Sequence, residues 1–290
     1  MAWDNIVHSA ARVTPCAEDL LLDCALVETW LLQFLRDEVT RRRGFTRVVV
    51  GLSGGVDSSV TASLAARAFA PESVYAYRMP YTTSSQESLD HASLVAERLG
   101  INCVTYPIGG AVDALLSGDP DEASGHRRGN VCARMRMIVL FDQAFKLGAI
   151  PLGTGNKSER MMGYYTWHGD DAPPINPLGD LYKTQVWQLA KHLGVPDVIV
   201  SKPATADLVR GQTDEDDLGI TYPRADVILH GLLSGYTPEQ LVSRGHEAVE
   251  VETVRRRVDA THWKRQLPTA AMVSDTAIGE YYLRPVDYAR

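Results

Sequence analysis

Cysteine is scarce: Cys16, Cys24, Cys103 and Cys132 are the only four in 290 residues, and none forms a CxxC pair or a Cys/His zinc spacing. Nothing in this usage suggests a disulfide framework, and a reducing cytoplasm is the expected compartment. Excess positive charge is missing too, with 29 Lys and Arg against 36 Asp and Glu and a net charge of −7. That argues against a general nucleic-acid surface while leaving room for a local basic pocket. No apolar run approaches the length that spans a bilayer. Met1-Ala2-Trp3-Asp4 lacks the basic and apolar regions of a signal peptide. Internal repeats and low-complexity stretches are absent as well. What is present is 45% hydrophobic residues, ample for a large core in one elaborated domain.

The most informative stretch is 47–59, Arg-Val-Val-Val-Gly-Leu-Ser-Gly-Gly-Val-Asp-Ser-Ser. Val48 to Val50 are β-branched and too few for a helix, so they read as a buried strand. Gly54 and Gly55 remove the Cβ atoms that would keep an anion from the backbone. A helix from about Asp57 then offers unpaired N–H groups at its positive end. The GxxxxGK[ST] pattern of a Walker A loop is absent. Ser53, Ser58 and Ser59 supply hydroxyl donors in its place, and Asp57 could hold a cation against phosphates. The bland alternative is a tight turn capped by Asp57 or Ser58.

Strands are expected at 47–52, 73–79, 101–107 and 149–153, alternating with helices at 57–69, 86–99 and 130–147. An amphipathic helix over 18–43 precedes them, and a polar loop over 117–129 separates the third strand from the long helix. This alternation predicts an α/β fold: a doubly wound, mostly parallel sheet with helices on both faces and ligands at the carboxyl ends of its strands. Further helices are expected near 183–193, 223–232, 237–244 and 247–265, as a helical C-terminal elaboration. The division is an N-terminal helix at 18–43, a nucleotide-binding core at 45–200 and C-terminal loops and helices at 201–290, within one domain.

Other constellations stand beside the glycine turn. Gly153-Thr154-Gly155-Asn156-Lys157-Ser158-Glu159 leaves the fourth strand much as the first motif leaves the first. If strands one and four are neighbours, Asp57 and Glu159 could share one Mg²⁺ bridging phosphate oxygens. Asn130 and Arg134 lie four apart and share a helix face, while Arg136 points elsewhere. An Arg and an amide on one face suit a carboxylate or phosphate ligand, though a solvated basic patch reads the same way. Tyr164, Tyr165 and Trp167 suit either ring stacking or the core. Lys183 opens a helix, where a cation opposes the macrodipole and so needs a separate reason to be there.

Together these strings resemble a known group. Ser53-Gly-Gly-Val-Asp-Ser58 resembles the pyrophosphate loop of the adenylate-forming ATP pyrophosphatases. Gly129-Asn-Val-Cys-Ala-Arg-Met-Arg-Met137, Gly153–Glu159, Gly163-Tyr-Tyr-Thr-Trp-His-Gly-Asp170, Thr205-Ala-Asp-Leu208, Asp214-Glu-Asp-Asp-Leu-Gly219 and Lys264-Arg265 resemble NAD synthetase specifically. They run in family order from about residue 45 to 268.

The resemblance implies an adenine-nucleotide-binding fold and ATP-dependent amidation of deamido-NAD through an acyl-adenylate, with Mg²⁺. It gives ATP to Ser53, Gly54, Gly55, Asp57, Ser58 and Ser59, with Arg78 and Thr154 by the adenosine or its phosphates. Asp57 and Glu159 would hold Mg²⁺, and Asp57 and Lys183 carry the catalysis. Asn130, Arg134 and Asp170 would contact the deamido-NAD side. Lys183, Thr205 and Lys264 would serve the phosphate and adenylate region, with Lys264 also reaching deamido-NAD. The family's homodimer makes the helix at 130–147 the interface candidate, and loops 82–90 and 207–219 are expected to order on ligand binding.

Glutamine-dependent members carry an amidase domain ahead of the synthetase portion. With about 45 residues before strand one and Ala at position 2, free ammonia is the expected donor, directly or from a separate glutaminase. Three places depart from the family pattern. Residues 82–86 read Thr-Thr-Ser-Ser-Gln, Trp167 takes a position held by Lys in some members, and Trp263 is interposed between His262 and Lys264. The rivals are a tRNA-modifying ATP pyrophosphatase, which predicts catalytic cysteines and a basic surface, and a nucleotide-binding regulator without turnover.

Overall fold

The three consecutive valines Val48, Val49 and Val50 are fully buried, and they form the middle of a parallel sheet. The structure is a computed structural model that describes residues 14–118, 125–205 and 213–266, together with 271 and 273. Among the described residues the strands are β1 (Val48–Gly51), β2 (Val74–Arg78), β3 (Asn102–Thr105) and β4 (Ile150–Leu152), in the order β3-β2-β1-β4. Val48 pairs with Val74 of β2 on one side and Ile150 of β4 on the other. Leu152 makes one further parallel bridge to Ile175.

Successive strand residues point to opposite faces, so β1 feeds two cores. Val48 and Val50 pack with α1 (Cys24–Leu35), α2 (Val56–Ala68), α3 (Gln86–Leu99) and the later helix that opens at Lys183. Val49 faces the other way, onto α4 (Gly109–Leu116) and α5 (Gly125–Leu147), through Val112, Cys132, Val139 and Leu140. Each of these fully buried valines contributes about 1.5–3 kcal/mol of transfer free energy. A sheet covered on both faces explains why β1 reads as a continuous apolar run rather than an alternating one.

Beyond β4 come α6 (Lys157–Met161), α7 (Lys183–Leu193), α8 (Asp197–Val200) and α9 (Asp214–Leu218). Next are α10 (Tyr222–Leu233), α11 (Pro238–Ser243) and α12 (Ala248–Ala260). The last three gather around a core of their own, in which Tyr222, Ile228, Leu241 and Val254 meet Leu20, Met162 and Tyr182.

Several elements differ from the sequence expectation. The helix expected over 18–43 is three pieces: a 3-10 turn at Ala17–Leu20, α1, and a π-helical turn at Arg36–Arg41. Asp23 starts α1 by accepting from the Leu26 N–H, and Leu20 is buried with the C-terminal helices while Leu31 and Leu35 lie against the sheet. The 3-10 turn serves a different core from α1, whereas the π-helical turn runs on from α1 and buries Val39 in the same core as Leu31 and Leu35. Of the polar loop expected over 117–129, residues 125–129 are the first turn of α5, and 119–124 lie outside the described residues. Residues 86–90, placed in a ligand-ordered loop, form the start of α3, with Ser85 as its N-cap. The last expected helix stops at Ala260 and is followed by a 3-10 turn, His262–Arg265. Short helices α4, α6, α8 and α9 carry too few turns for their apolar period to stand out.

Candidate active site

From β1 the chain moves out to β2 and β3 on one side, whereas β4 lies on the other. The loops after β1 and β4 therefore diverge at the carboxyl ends of adjacent strands, the switch point where open α/β sheets bind ligands. The loop after β1 is the glycine turn, and its two glycines do different work. Gly54 has φ +83°, and a Cβ there would lie 2.1 Å from the Ser88 carbonyl oxygen. Its missing side chain lets α3 close onto the turn. Gly55 is the open one: a Cβ would meet nothing nearer than Ser53 Oγ at 3.4 Å, and the residue lines the cleft.

Hydroxyls shape the rest of the turn. Ser53 Oγ accepts from the Gly55 N–H at 3.2 Å and lies 3.0 Å from Ser58 Oγ. Ser59 is fully buried, and its hydroxyl donates back to the Gly55 carbonyl at 2.8 Å. Ser59, expected at ATP, braces the start of α2 and is not among the residues that line the cleft.

The loop after β4 brings a second carboxylate to the first. Asn156, fully buried, donates from Nδ2 to Asp57 Oδ1 at 2.9 Å. Its backbone N–H donates to Glu159 Oε2 at 3.1 Å, while its Oδ1 accepts the Glu159 N–H at 3.0 Å. One amide thus fixes both acids. Between them sits the ammonium of Lys183, from the first turn of α7, 2.5 Å from Asp57 Oδ2 and 3.4 Å from Glu159 Oε1. Lys183 is 2% exposed. Burial works against its charge, but Asp57 and Glu159 outweigh that cost and hold the ammonium above its ordinary value. For Glu159 the balance runs the other way: burial pushes the carboxyl up, Lys183 opposes this, and Asp57 adds to it.

The cleft around this cluster encloses about 680 Å³ and runs between the glycine turn, α5 and the 163–170 loop. A third acid, Asp214 at the start of α9, is 5% exposed and lines it. Its Oδ2 accepts from the Tyr222 hydroxyl at 3.2 Å, and its Oδ1 has no hydrogen-bond partner. Burial pushes this carboxyl up. Lys202 also lines the cleft, with Nζ 3.0 Å from Ser88 Oγ.

Residues 27–268 match the NAD synthase family. The chain belongs to that family. It is 47% identical over 263 residues to the NH(3)-dependent NAD(+) synthetase of Chlorobaculum parvum, an alignment covering 90% of this chain and 94% of the relative. Among solved structures it superposes on the NMN synthetase of Francisella tularensis with a TM-score of 0.77 and 32% identity, over 87% of this chain and 99% of that one. The NH3-dependent NAD synthetase of Campylobacter jejuni, solved with a nitrate ion, matches with a TM-score of 0.74 and 26% identity over 87% and 100%.

In this NAD synthase chain the expected site residues fall into two groups. Ser53, Gly55, Asp57, Ser58, Thr154, Glu159, Lys183 and Thr205 line the cleft. So do Asn130 and Asp170, which meet on one residue: Asn130 Oδ1 accepts the Thr166 hydroxyl at 2.9 Å, and Asp170 Oδ1 accepts the Thr166 N–H at 2.8 Å. Asp170 keeps solvent contact at the cleft mouth, yet the protein packed around it pushes its carboxyl up.

Gly54, Ser59, Arg78, Arg134 and Lys264 are not among the lining residues. Arg78 donates to the Leu89 carbonyl at 3.3 Å, to Ser93 Oγ, and to Thr105 Oγ1 at 2.6 Å, while its Nε has no hydrogen-bond partner. Arg134 donates to the Trp167 carbonyl at 3.2 Å. Lys264 holds the Gly163 and Tyr165 carbonyls, each at 2.8 Å, and so ties the 163–170 loop to the end of the chain's last described helix. Burial lowers its pKa, and Asp170 works against that.

Arg136 reverses its expectation, because it lines the cleft while donating from Nε to the Met79 carbonyl at 3.1 Å. The stripe of α5 facing the cleft is Asn130, Ala133, Arg136, Met137 and Leu140, at helical spacing; Arg134 falls just past its edge. Trp167 and Trp263, two of the departures from the family pattern, touch each other edge to face at 5.3 Å. Asn156, Asp214 and Lys202 were not singled out from sequence. Asn156 and Asp214 stood within quoted motifs, but an amide or acid inside a polar loop carries no sign of burial. Asp207 and Leu208, with the rest of the loop as far as 212, lie outside the described residues.

Proposed function

We propose that this cleft converts deamido-NAD to NAD with ammonia and ATP in two steps. The nicotinate carboxylate attacks the α-phosphorus of ATP, forming an acyl-adenylate and releasing pyrophosphate. Ammonia then attacks the acyl carbon, AMP departs, and the new amide nitrogen loses a proton. The observation that carries this reading is the Lys183 ammonium held between Asp57 and Glu159, beside the open Gly55 turn at the β1/β4 switch point. The N–H groups of the turn and the Lys183 ammonium face negative charge that grows on the phosphoryl oxygens and the departing pyrophosphate. Ser53 and Ser58 offer hydroxyls to the same phosphates. Arg136, Asn130 and Asp170, across the cleft, suit the second substrate.

Asp57 and Glu159 fit a Mg²⁺ ion. Both are hard oxygen donors that line the cleft, where the Lys183 ammonium holds the point between them and the buried Asp214 Oδ1 has no hydrogen-bond partner. No group of three or more His, Cys, Asp and Glu suited to a metal occurs among the described residues. Mg²⁺ commonly takes one or two carboxylates and completes its shell with phosphate and water. When bound with ATP, it would neutralise phosphate charge.

The reading carries three further parts. A homodimer forms through the outward face of α5, where Ile138, Phe141 and Phe145 are 51%, 39% and 91% exposed. The chain acts as one synthetase domain, since its C-terminal helices share a core with Leu20, Met162 and Tyr182. The reaction is cytoplasmic, in keeping with four free cysteines; no helix among the described residues is long and apolar enough to cross a membrane.

The test is purified protein with Mg-ATP, deamido-NAD and either ammonium or glutamine, followed by chromatography. NAD and AMP should appear in equal amounts with ammonium. No NAD under any condition refutes the reading, and equal rates with glutamine alone refute ammonia as the direct donor. A parallel reaction offers nicotinic acid mononucleotide, because the Francisella tularensis structure is that of an NMN synthetase. Faster turnover of the mononucleotide would transfer the same chemistry to the smaller acceptor.

A further inference from the structure

Lys183 stands in the first turn of α7, where its own charge opposes the helix dipole, and the N-cap residue Tyr182 makes no side-chain cap. Gln185 Oε1 accepts the Tyr182 N–H at 3.0 Å, and the cap on the next N–H groups comes from elsewhere in the chain. Asp226, fully buried on α10, accepts from the Thr184 N–H at 2.9 Å and from the Thr184 hydroxyl at 2.8 Å through Oδ2. Its Oδ1 accepts from the Ser158 hydroxyl at 2.5 Å, and Ser158 Oγ in turn accepts the Lys183 N–H at 2.9 Å. Ser158 is also fully buried and directly precedes Glu159. A single carboxylate therefore joins three helices: α6, which carries Glu159; α7, which carries Lys183; and α10.

A buried carboxylate is costly unless several donors satisfy it, and this one is satisfied by the two segments that carry the site's charges. A shift of about 1 Å in either segment would separate the Lys183 ammonium from the acids that hold it. Misplacement of that size is enough to cost about a hundredfold in rate.

We propose that Asp226, acting through Ser158, is a positioning residue that sets the Lys183 ammonium between Asp57 and Glu159. It touches neither substrate nor Lys183 Nζ. Its effect is on where Lys183 and Glu159 sit relative to each other, so it alters the chemical step more than the binding of ATP. Its kinetic consequence rests on the proposed amidation, whereas its structural consequence does not.

The test uses the full chain with Asp226→Asn and, separately, Ser158→Ala. The second variant keeps the Asp226 carboxylate on Thr184 and removes the hydroxyl that links Asp226 to the Lys183 N–H, so it decides the matter if Asp226→Asn does not fold. Two readouts are taken. In steady-state kinetics, each folded variant should lose tenfold or more in kcat, with KM for ATP within about threefold of wild type. In competitive labelling with acetic anhydride, read by peptide mass spectrometry, Lys183 should react several-fold faster in the variants, while Lys264 reacts at the wild-type rate. The labelling arm stands even if the wild-type protein makes no NAD, so failure of the reaction and failure of the positioning role are separable. Unchanged Lys183 labelling in folded Ser158→Ala overturns the proposal. So does a wild-type kcat in that variant, or a raised KM with kcat intact.

Discussion

Replacing Lys183 by Met tests the centre of the site, since it keeps most of the side-chain volume and removes the charge. The ammonium lies 2.5 Å from Asp57 and 3.4 Å from Glu159. At an effective dielectric constant near 20, those two attractions amount to roughly 7 and 5 kcal/mol before desolvation. Burying the charges cancels most of this, and breaking such a pair from one side costs about 3–5 kcal/mol net, because the abandoned acids remain buried. For a chain of this size that is a fall in Tm of about 6–10 °C.

The loss should depend on pH with a definite sign. Glu159 has a folded-state pKa above its ordinary 4.5, so its ionisation disfavours the fold, and that penalty appears as pH rises from 4.5 through the folded value. Lys183 opposes the upward shift, so removing it enlarges both shift and penalty. Below the wild-type Glu159 value of about 8 both proteins keep this carboxyl protonated and lose stability in parallel, so the gap should stay level from pH 5 and widen only as pH rises past about 8, where wild-type Glu159 ionises and the variant's does not. Thermal melts by circular dichroism across that range measure it. Amidation should fall by 10²–10³-fold, the cost of deleting one group that stabilises transition-state charge. A variant that melts within 1 °C of wild type at every pH would refute the ion-pair reasoning.

The two glycines of the turn should separate stability from binding. Gly54→Ala puts a methyl into the Ser88 carbonyl at a positive φ, and the backbone conformation alone costs about 1–3 kcal/mol. A lowered Tm without ligand is the expected result. Gly55→Ala has room in the folded chain, so calorimetry should show near-normal stability with ATP affinity reduced tenfold or more. On α5, Phe145→Asp places a charge at a position 91% exposed, and sedimentation should show dissociation to monomers with the fold intact. A dimer of unchanged strength would remove this face as the interface.

Reading the sequence worked best where the signal was local. A β-branched run that ends in Ser-Gly-Gly and continues into a helix is a short-range pattern, and β1, the turn and α2 lie where it places them. The same holds for α3, bounded by Ser85 and Gly100, and for α7, which opens at Lys183 as expected. The sequence says least where a residue's surroundings depend on what packs against it. Arg78, expected near ATP, donates to Ser93 and Thr105, and a lone arginine at a strand end carries no mark of which neighbours take its donors. Arg134 and Arg136 were told apart by an i,i+4 pairing with Asn130, but the centre of the cleft-facing stripe was decided by how α5 rolls on the sheet.

By itself, then, the sequence determined the alternation of strands and helices and the presence of a phosphate-type turn, since both follow from periodicity and backbone chemistry over a few residues. Only the tertiary structure decided that β4 lies beside β1, and with it the meeting of Asp57, Glu159 and Lys183 across more than a hundred residues of chain. It also decided that Gly54 yields to Ser88, that Asn156 fixes both acids and that Asp226 anchors the lysine's helix. These contacts join segments far apart along the chain. Their geometry is set by strand order and by which faces are buried, and no window of neighbouring residues contains that information.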